Sequence, residues 1–118
     1  MPQDAGKTGQ TTTDLASRRC APCRGNVQPL PAAEIEALAA RLRDWAIVTG
    51  HHLRKRYTFP DFRSALGFVN QVGEIAEAEG HHPDITLGWG RVDITLWTHA
   101  ADGLTENDFI LAAKIDQL

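Results

Sequence analysis

Arg91-Val92-Asp93-Ile94-Thr95-Leu96-Trp97-Thr98 is the stretch that decides the fold. Val92, Ile94 and Leu96 alternate with Asp93, Thr95 and Trp97, the period of a strand with one apolar and one polar face. Just upstream, Ile85 and Leu87 repeat that spacing after Pro83, and Gly88-Trp89-Gly90 supplies a turn between the two runs. Strands joined by so short a connection pair antiparallel.

Further upstream, Trp45 to Val48 and His52 to Phe59 read as two more strands, broken at Gly50. Leu53, Tyr57 and Phe59 share one face of the second, and Lys55 interrupts that face. Three segments carry helical spacing instead. From Pro31 to Arg43 the apolar positions are Ile35, Leu38, Ala39 and Leu42, with Pro31 suited to a first turn. After Pro60-Asp61, a single stripe runs through Phe62, Ala65, Leu66, Val69, Val72 and Ala76. Glu74, Glu77 and Glu79 crowd its end, where negative charge opposes the helix dipole. After Gly103-Leu104, Thr105 and Asp108 have capping-box spacing, and Phe109, Ala112, Ala113 and Ile115 continue the last helix.

The expected order is α-β-β-α-β-β-α. It predicts an α+β domain, a four-stranded antiparallel sheet with its helices packed on one face. A sheet this small leaves open edges and a bare face, which oligomerisation through an edge strand or through helices would relieve.

A chain of 118 residues, 42% hydrophobic and 23% charged, has the size and composition of one globular domain. Residues 1–28 are rich in Thr, Gln, Gly and small residues without apolar period, and read as a disordered tail. Residues 29–118 read as the domain. Lys7, Arg18, Arg19 and Arg24 outnumber Asp4 and Asp14 in the tail, so the net charge of −3 is concentrated in the domain. That charge gives no sign of a nucleic-acid surface. No apolar run approaches the roughly 20 residues of a membrane helix, and no secretory apolar region precedes Thr11-Thr12-Thr13. A cytoplasmic protein with no membrane partner is the default expectation.

Among five histidines, His81 and His82 are adjacent at a helix-to-strand junction, and His99 follows the strand that decides the fold. Side chains at strand ends are well placed for chemistry, and imidazole exchanges protons near neutral pH. Each residue also has a plainer reading. A His-His pair in a loop is commonly a solvated patch, and so is Glu77 at a helix end. Trp89 fits a turn, Asp108 fits a cap, and His51-His52 fits an exposed strand start without special role. A zinc site of His81, His82 and His99 is disfavoured because adjacent histidines point apart, and no HExxH helix exists. Cys20-Ala21-Pro22-Cys23 is open between half a zinc site, a redox pair and no essential role.

Jointly, the pattern Glu77-x-x-x-His81-His82-Pro83, then Trp89, His99 and Asp108, resembles the signature of the pterin-4a-carbinolamine dehydratase family. Phe59-Pro60-Asp61-Phe62, Thr98-His99 and Gly103-Leu104-Thr105 extend the resemblance, which runs from about Leu30 to the C-terminus. It implies an enzyme, a hydro-lyase that removes water from 4a-hydroxytetrahydropterin to give quinonoid dihydropterin in tetrahydrobiopterin recycling. It implies catalytic His81, His82 and His99, with Glu77, Gly80, Trp97, Thr98 and Asp108 binding or supporting the pterin. It implies no cofactor, no metal and a homodimer or homotetramer. Gly80 stands where the family often has an acidic residue, Trp97 where animal members have a smaller one, and Ala101 where they have Cys. Two other readings belong beside it: a non-enzymatic dimerisation or binding module, and a related enzyme of molybdopterin metabolism.

Overall fold

The computed structural model describes residues 15–22 and 27–118. Helix α1 (Ala32–Ala39) leads into strands β1 (Ala46–Val48) and β2 (His52–Thr58). The long helix α2 (Phe62–Glu79) follows, then the hairpin of β3 (Asp84–Gly88) and β4 (Arg91–Leu96). A single 3-10 turn (His99–Ala101) connects to helix α3 (Glu106–Asp116). The four strands form one antiparallel sheet in the order β1-β2-β4-β3. The expected α+β architecture and element order are therefore those observed.

The register explains which face is covered. Leu53 lies opposite Leu96, Lys55 opposite Ile94 and Tyr57 opposite Val92, while Ile85 and Leu87 meet Ile94 and Val92 from the other side. These residues form the inner rows beneath the helices, and Leu53, Val92, Ile94 and Leu96 are fully buried. The alternate rows, Arg54–Thr95 and Arg56–Asp93, lie on the outer face. Lys55 stays on the inner face because it has partners there. Its Nζ donates to Asp116 Oδ1 at 2.9 Å and lies 4.8 Å from the centre of the Tyr57 ring. Trp45 Nε1 and the Tyr57 hydroxyl donate to the same carboxylate, so a partly buried cation and anion are jointly satisfied.

Three expectations need correction. Helix α1 ends at Ala39, not Arg43, because the chain tightens: Arg41 N–H bonds the Leu38 carbonyl and Leu42 N–H the Ala39 carbonyl. Asp44 then takes a left-handed conformation (φ 59°), which turns Trp45 into the core. Pro31 caps this helix rather than occupying its first turn. Helix α2 packs through Ala65, Phe68, Val72 and Ala76, a line that includes Phe68 and leaves Phe62 and Leu66 exposed at its edge.

The third correction concerns only the described residues 15–22 of the tail; residues 1–14 and 23–26 lie outside the described residues. Residues 15–22 are ordered against the domain. Leu15 is fully buried in the core, and Lys114 Nζ donates to the Ala16 carbonyl at 2.7 Å. The Cys20 N–H donates to Glu79, and Ala21 exchanges two hydrogen bonds with the Asn107 side-chain amide. Composition missed this because one buried leucine and a few backbone bonds hold the segment, and neither leaves a periodic trace. Cys23 lies outside the described residues.

Candidate active site

Two chain reversals bring the expected residues together. At the end of α2, Gly80 adopts φ 67°, a left-handed conformation that a side chain would strain. The His81 N–H then bonds back to the Ala76 carbonyl, so the His81-His82 pair leaves the helix in a fixed direction. At the end of β4, the Thr98 N–H donates to the Gly103 carbonyl at 2.8 Å, closing the loop that contains the 3-10 turn of His99. Between the two reversals lies an open cavity of about 340 Å³, lined by Gly80, His81, His82, Trp97, Thr98, His99 and Ala100.

Each histidine is held differently. His81 Nε2 lies 2.7 Å from Asp108 Oδ1, and the Asp108 side chain is wholly buried. Asp108 Oδ2 accepts from the Thr98 hydroxyl at 2.8 Å and from the Thr105 N–H at 2.9 Å. A carboxylate with this many donors is an acceptor on every side, so the His81 proton sits on Nε2 and Nδ1 is left to exchange one. His82 Nε2 lies 2.6 Å from Glu77 Oε2, an exposed pair one turn back along the chain. His99 is exposed and stacks on Trp97, with ring centres 4.4 Å apart and planes 13° off parallel. This stacked aromatic pair and the two carboxylate-held imidazoles line the same open cavity, an arrangement suited to a flat, hydrogen-bonding ring.

All eight expected site residues come together: His81, His82, His99, Gly80, Trp97 and Thr98 line the cavity, and Glu77 bonds the lining His82. Asp108 also bonds a lining histidine, but lies wholly buried beneath it. The capping box of Thr105 and Asp108 is present, and the same Asp108 oxygen serves cap and site. Trp89 is 70% exposed in the β3–β4 turn and does not line the cavity. Ala100 and Thr105 are additions. Thr105 was legible as a cap and as part of the resemblance but not as a site residue, and its hydroxyl lies 2.7 Å from that of Thr98. The His51-His52 doublet, read as an unremarkable strand start, packs against Trp97.

Among the acidic residues after the middle of α2, Glu79 has the most defined role. Burial works to raise its pKa, but the Cys20 N–H, Lys114 and Arg19 outweigh it and hold the carboxyl below its usual value. Cys20 itself is half-buried, with its Sγ 3.6 Å from the Asn107 carbonyl. Burial, then the nearby Glu79 charge, push its thiol up to about 12. No group of three or more His, Cys, Asp or Glu suited to a metal ion exists among the described residues. No helix among them is long and apolar enough to cross a membrane. A second groove of similar volume, between α1 and α3, is lined by Leu30, Glu34, Ala37, Leu38 and Glu106 and contains no histidine.

Comparison with known proteins agrees with this geometry. The family described as Pterin 4 alpha carbinolamine dehydratase matches residues 28–118. A protein of Rubrobacter xylanophilus, provisionally named pterin-4-alpha-carbinolamine dehydratase, is 55% identical over 106 residues, covering 90% of this chain and 99% of the relative. A Rickettsia bellii protein with the same provisional name is 48% identical over 108 residues, covering 91% and 96%. The crystal structure of a transcriptional coactivator/pterin dehydratase from Brucella melitensis superposes with a TM-score of 0.72 at 34% identity, covering 76% of this chain and 97% of that one. A pterin dehydratase-like protein identified as a RuBisCO assembly factor in the alpha-carboxysome is more distant, with a TM-score of 0.55, 26% identity, and 64% and 88% covered. On the strength of a family match that spans the whole domain and relatives that are half identical to it, the chain belongs to the pterin 4 alpha carbinolamine dehydratase family.

Proposed function

We propose that this protein is a hydro-lyase that converts 4a-hydroxytetrahydropterin to quinonoid dihydropterin and water, serving tetrahydrobiopterin recycling in the cytoplasm. The observation that carries the reading is the convergence of His81, His82 and His99 on one cavity, two of them each bonded to a carboxylate. The leaving hydroxyl sits on a carbon bonded to a ring nitrogen. A proton delivered to that oxygen lets the C–O bond break with its electrons leaving as water. The nitrogen lone pair forms the new C=N bond, and the N–H proton is taken up by a base. The proton delivered and the proton removed balance, so imidazoles alone suffice and no cofactor enters.

In this reading His82 is the general acid or base at the 4a-hydroxyl. His81 and His99 position the ring and share the proton transfer. Glu77 orients His82, and Asp108 orients His81. Trp97, Thr98 and Gly80 contact the pterin, with Gly80 contributing backbone only. Replacing His81, His82 and His99 singly by Ala tests the assignment. Dehydration of freshly formed carbinolamine, corrected for the spontaneous reaction, is expected to slow about 10²–10⁴-fold where the imidazole transfers a proton. Full activity in all three variants refutes it.

A second reading is that the domain also docks a partner protein. It is favoured by the exposed Phe62 and Leu66 on α2 and by the names of the two structural relatives, a transcriptional coactivator and an assembly factor. The same patch and the open strand edges suit a homodimer or homotetramer. Light scattering of wild type and Leu66→Lys tests the oligomer: one mass for both proteins excludes this patch as the interface.

A further inference from the structure

We propose that His51 and His52 are positioning residues for the dehydration proposed above: they form a clamp, joined by one shared proton, that fixes Trp97 and the turn carrying His99. The inference rests on that reading of the cavity and adds to it two residues outside the family signature.

The clamp begins at the β1–β2 reversal. Thr49 and Gly50 both have positive φ, and the His51 N–H bonds the Val48 carbonyl, so the turn is tight and His51 emerges at a fixed angle. His52 opens β2 on the outer face of the sheet. The register that sets Leu53 against Leu96 brings His52 level with Trp97. Both imidazoles are half-buried against the indole, with centroid distances of 5.5 Å for His51 and 6.1 Å for His52. Trp97 in turn stacks on His99. Four rings thus run from the β1–β2 turn to the cavity wall.

His51 grips the His99 turn a second time. Its Nε2 lies 2.9 Å from Asp102 Oδ1. Asp102 ends the 3-10 turn in a left-handed conformation, and its N–H bonds the His99 carbonyl. Asp102 is exposed, so this contact orients His51 more than it stabilises the fold. The two grips act on opposite sides of one residue, the His99 ring through Trp97 and the His99 backbone through Asp102.

His51 Nδ1 and His52 Nδ1 face each other at 3.1 Å. One must carry the proton and the other the lone pair. A second proton would set two N–H groups head to head and open the pair. The charged or titratable groups facing it are Asp102 on His51, and His51 and Arg54 on His52. Burial first, then His51 and Arg54, hold His52 below the ordinary histidine range, so the neutral partner persists through neutral pH.

Three variants test the clamp. His51→Ala and His52→Ala are expected to lower kcat/KM about tenfold or more, the scale of a slightly misplaced catalytic group. His52→Asn places an amide where Nδ1 stood. It is expected to restore the rate near pH 7 and to abolish one acid limb of the pH profile, because an amide does not protonate there. A merely structural role leaves that limb in place. An assay-independent readout is the upfield ring-current shift of the His99 ring protons over Trp97, followed by NMR; it should shrink in both Ala variants. An unchanged His99 shift and an unchanged acid limb overturn the clamp. A wild type without dehydratase activity, in which His51→Ala still releases the His99 shift, overturns the dehydratase reading and leaves the clamp standing.

Discussion

Asp108→Asn is the most informative single change, because Asp108 joins the fold to the chemistry. Its carboxylate is fully buried, with Oδ1 on His81 and Oδ2 on Thr98 and Thr105. An Asn amide keeps the shape but has one oxygen. That oxygen is drawn to the Thr105 N–H and Thr98 hydroxyl, two donors, so the NH₂ faces His81. His81 Nε2 must then accept, and its proton moves to Nδ1, the wrong tautomer for the proposed exchange. The lost bond is charge-assisted, worth about 1.5–3 kcal/mol. At about 1.4 kcal/mol per decade this is a roughly 10–150-fold loss in kcat/KM. Stability should fall by only about 1–2 kcal/mol, because the cap survives. Asp108→Ala leaves the buried Thr98 and Thr105 donors with a partner removed, and should unfold at distinctly lower urea. The assay is dehydration of fresh carbinolamine beside urea unfolding of the same samples. A wild-type rate in a folded Asp108→Asn variant refutes the view that this carboxylate sets the His81 tautomer.

Other expectations follow from the same contacts. Asp116→Ala strips the partner from inward-facing Lys55, Trp45 and Tyr57 and should cost about 2–4 kcal/mol in urea unfolding, with Asp116→Asn costing less. Glu79 has a depressed pKa when folded, so its contribution is full above the usual glutamate value and is lost as pH falls through the folded one. Proteolysis at the 15–22 segment should therefore rise on acidification, and Glu79→Gln should show that susceptibility at neutral pH and flatten its pH dependence. Cys20, with its thiol pushed up to about 12, should react with an alkylating reagent at pH 8 about 10³-fold more slowly than a free cysteine, as followed by peptide mass spectrometry. Rapid labelling of Cys20 contradicts its docked position.

The periodic elements were readable residue by residue. Val92, Ile94 and Leu96 point inward as their alternation requires, and the Thr105–Asp108 box caps α3 as its spacing requires. Such signals are local, since strand period, cap and turn are set by neighbours in the chain. Phe68 shows the limit: whether a helix buries 62 and 66 or 65 and 68 depends on how it rolls against the sheet. The His81-His82 and Thr98-His99 segments were legible as candidates, but only through their joint spacing.

What the sequence by itself determined is the pairing of consecutive strands, the Thr105–Asp108 cap and the set of polar groups available for chemistry. Their partnership was decided only in the folded chain. His81 meets Asp108 across 27 residues, and His51 meets Asp102 across 51. Leu15 and Ala21 leave a tail that composition assigns to solvent, because buried contacts on α3 and α2 outweigh its weak local preference. Long-range contacts carry no periodic mark in the chain; they exist because the β1-β2-β4-β3 order and the two reversals at Gly80 and Thr98 bring distant segments to one end of the sheet.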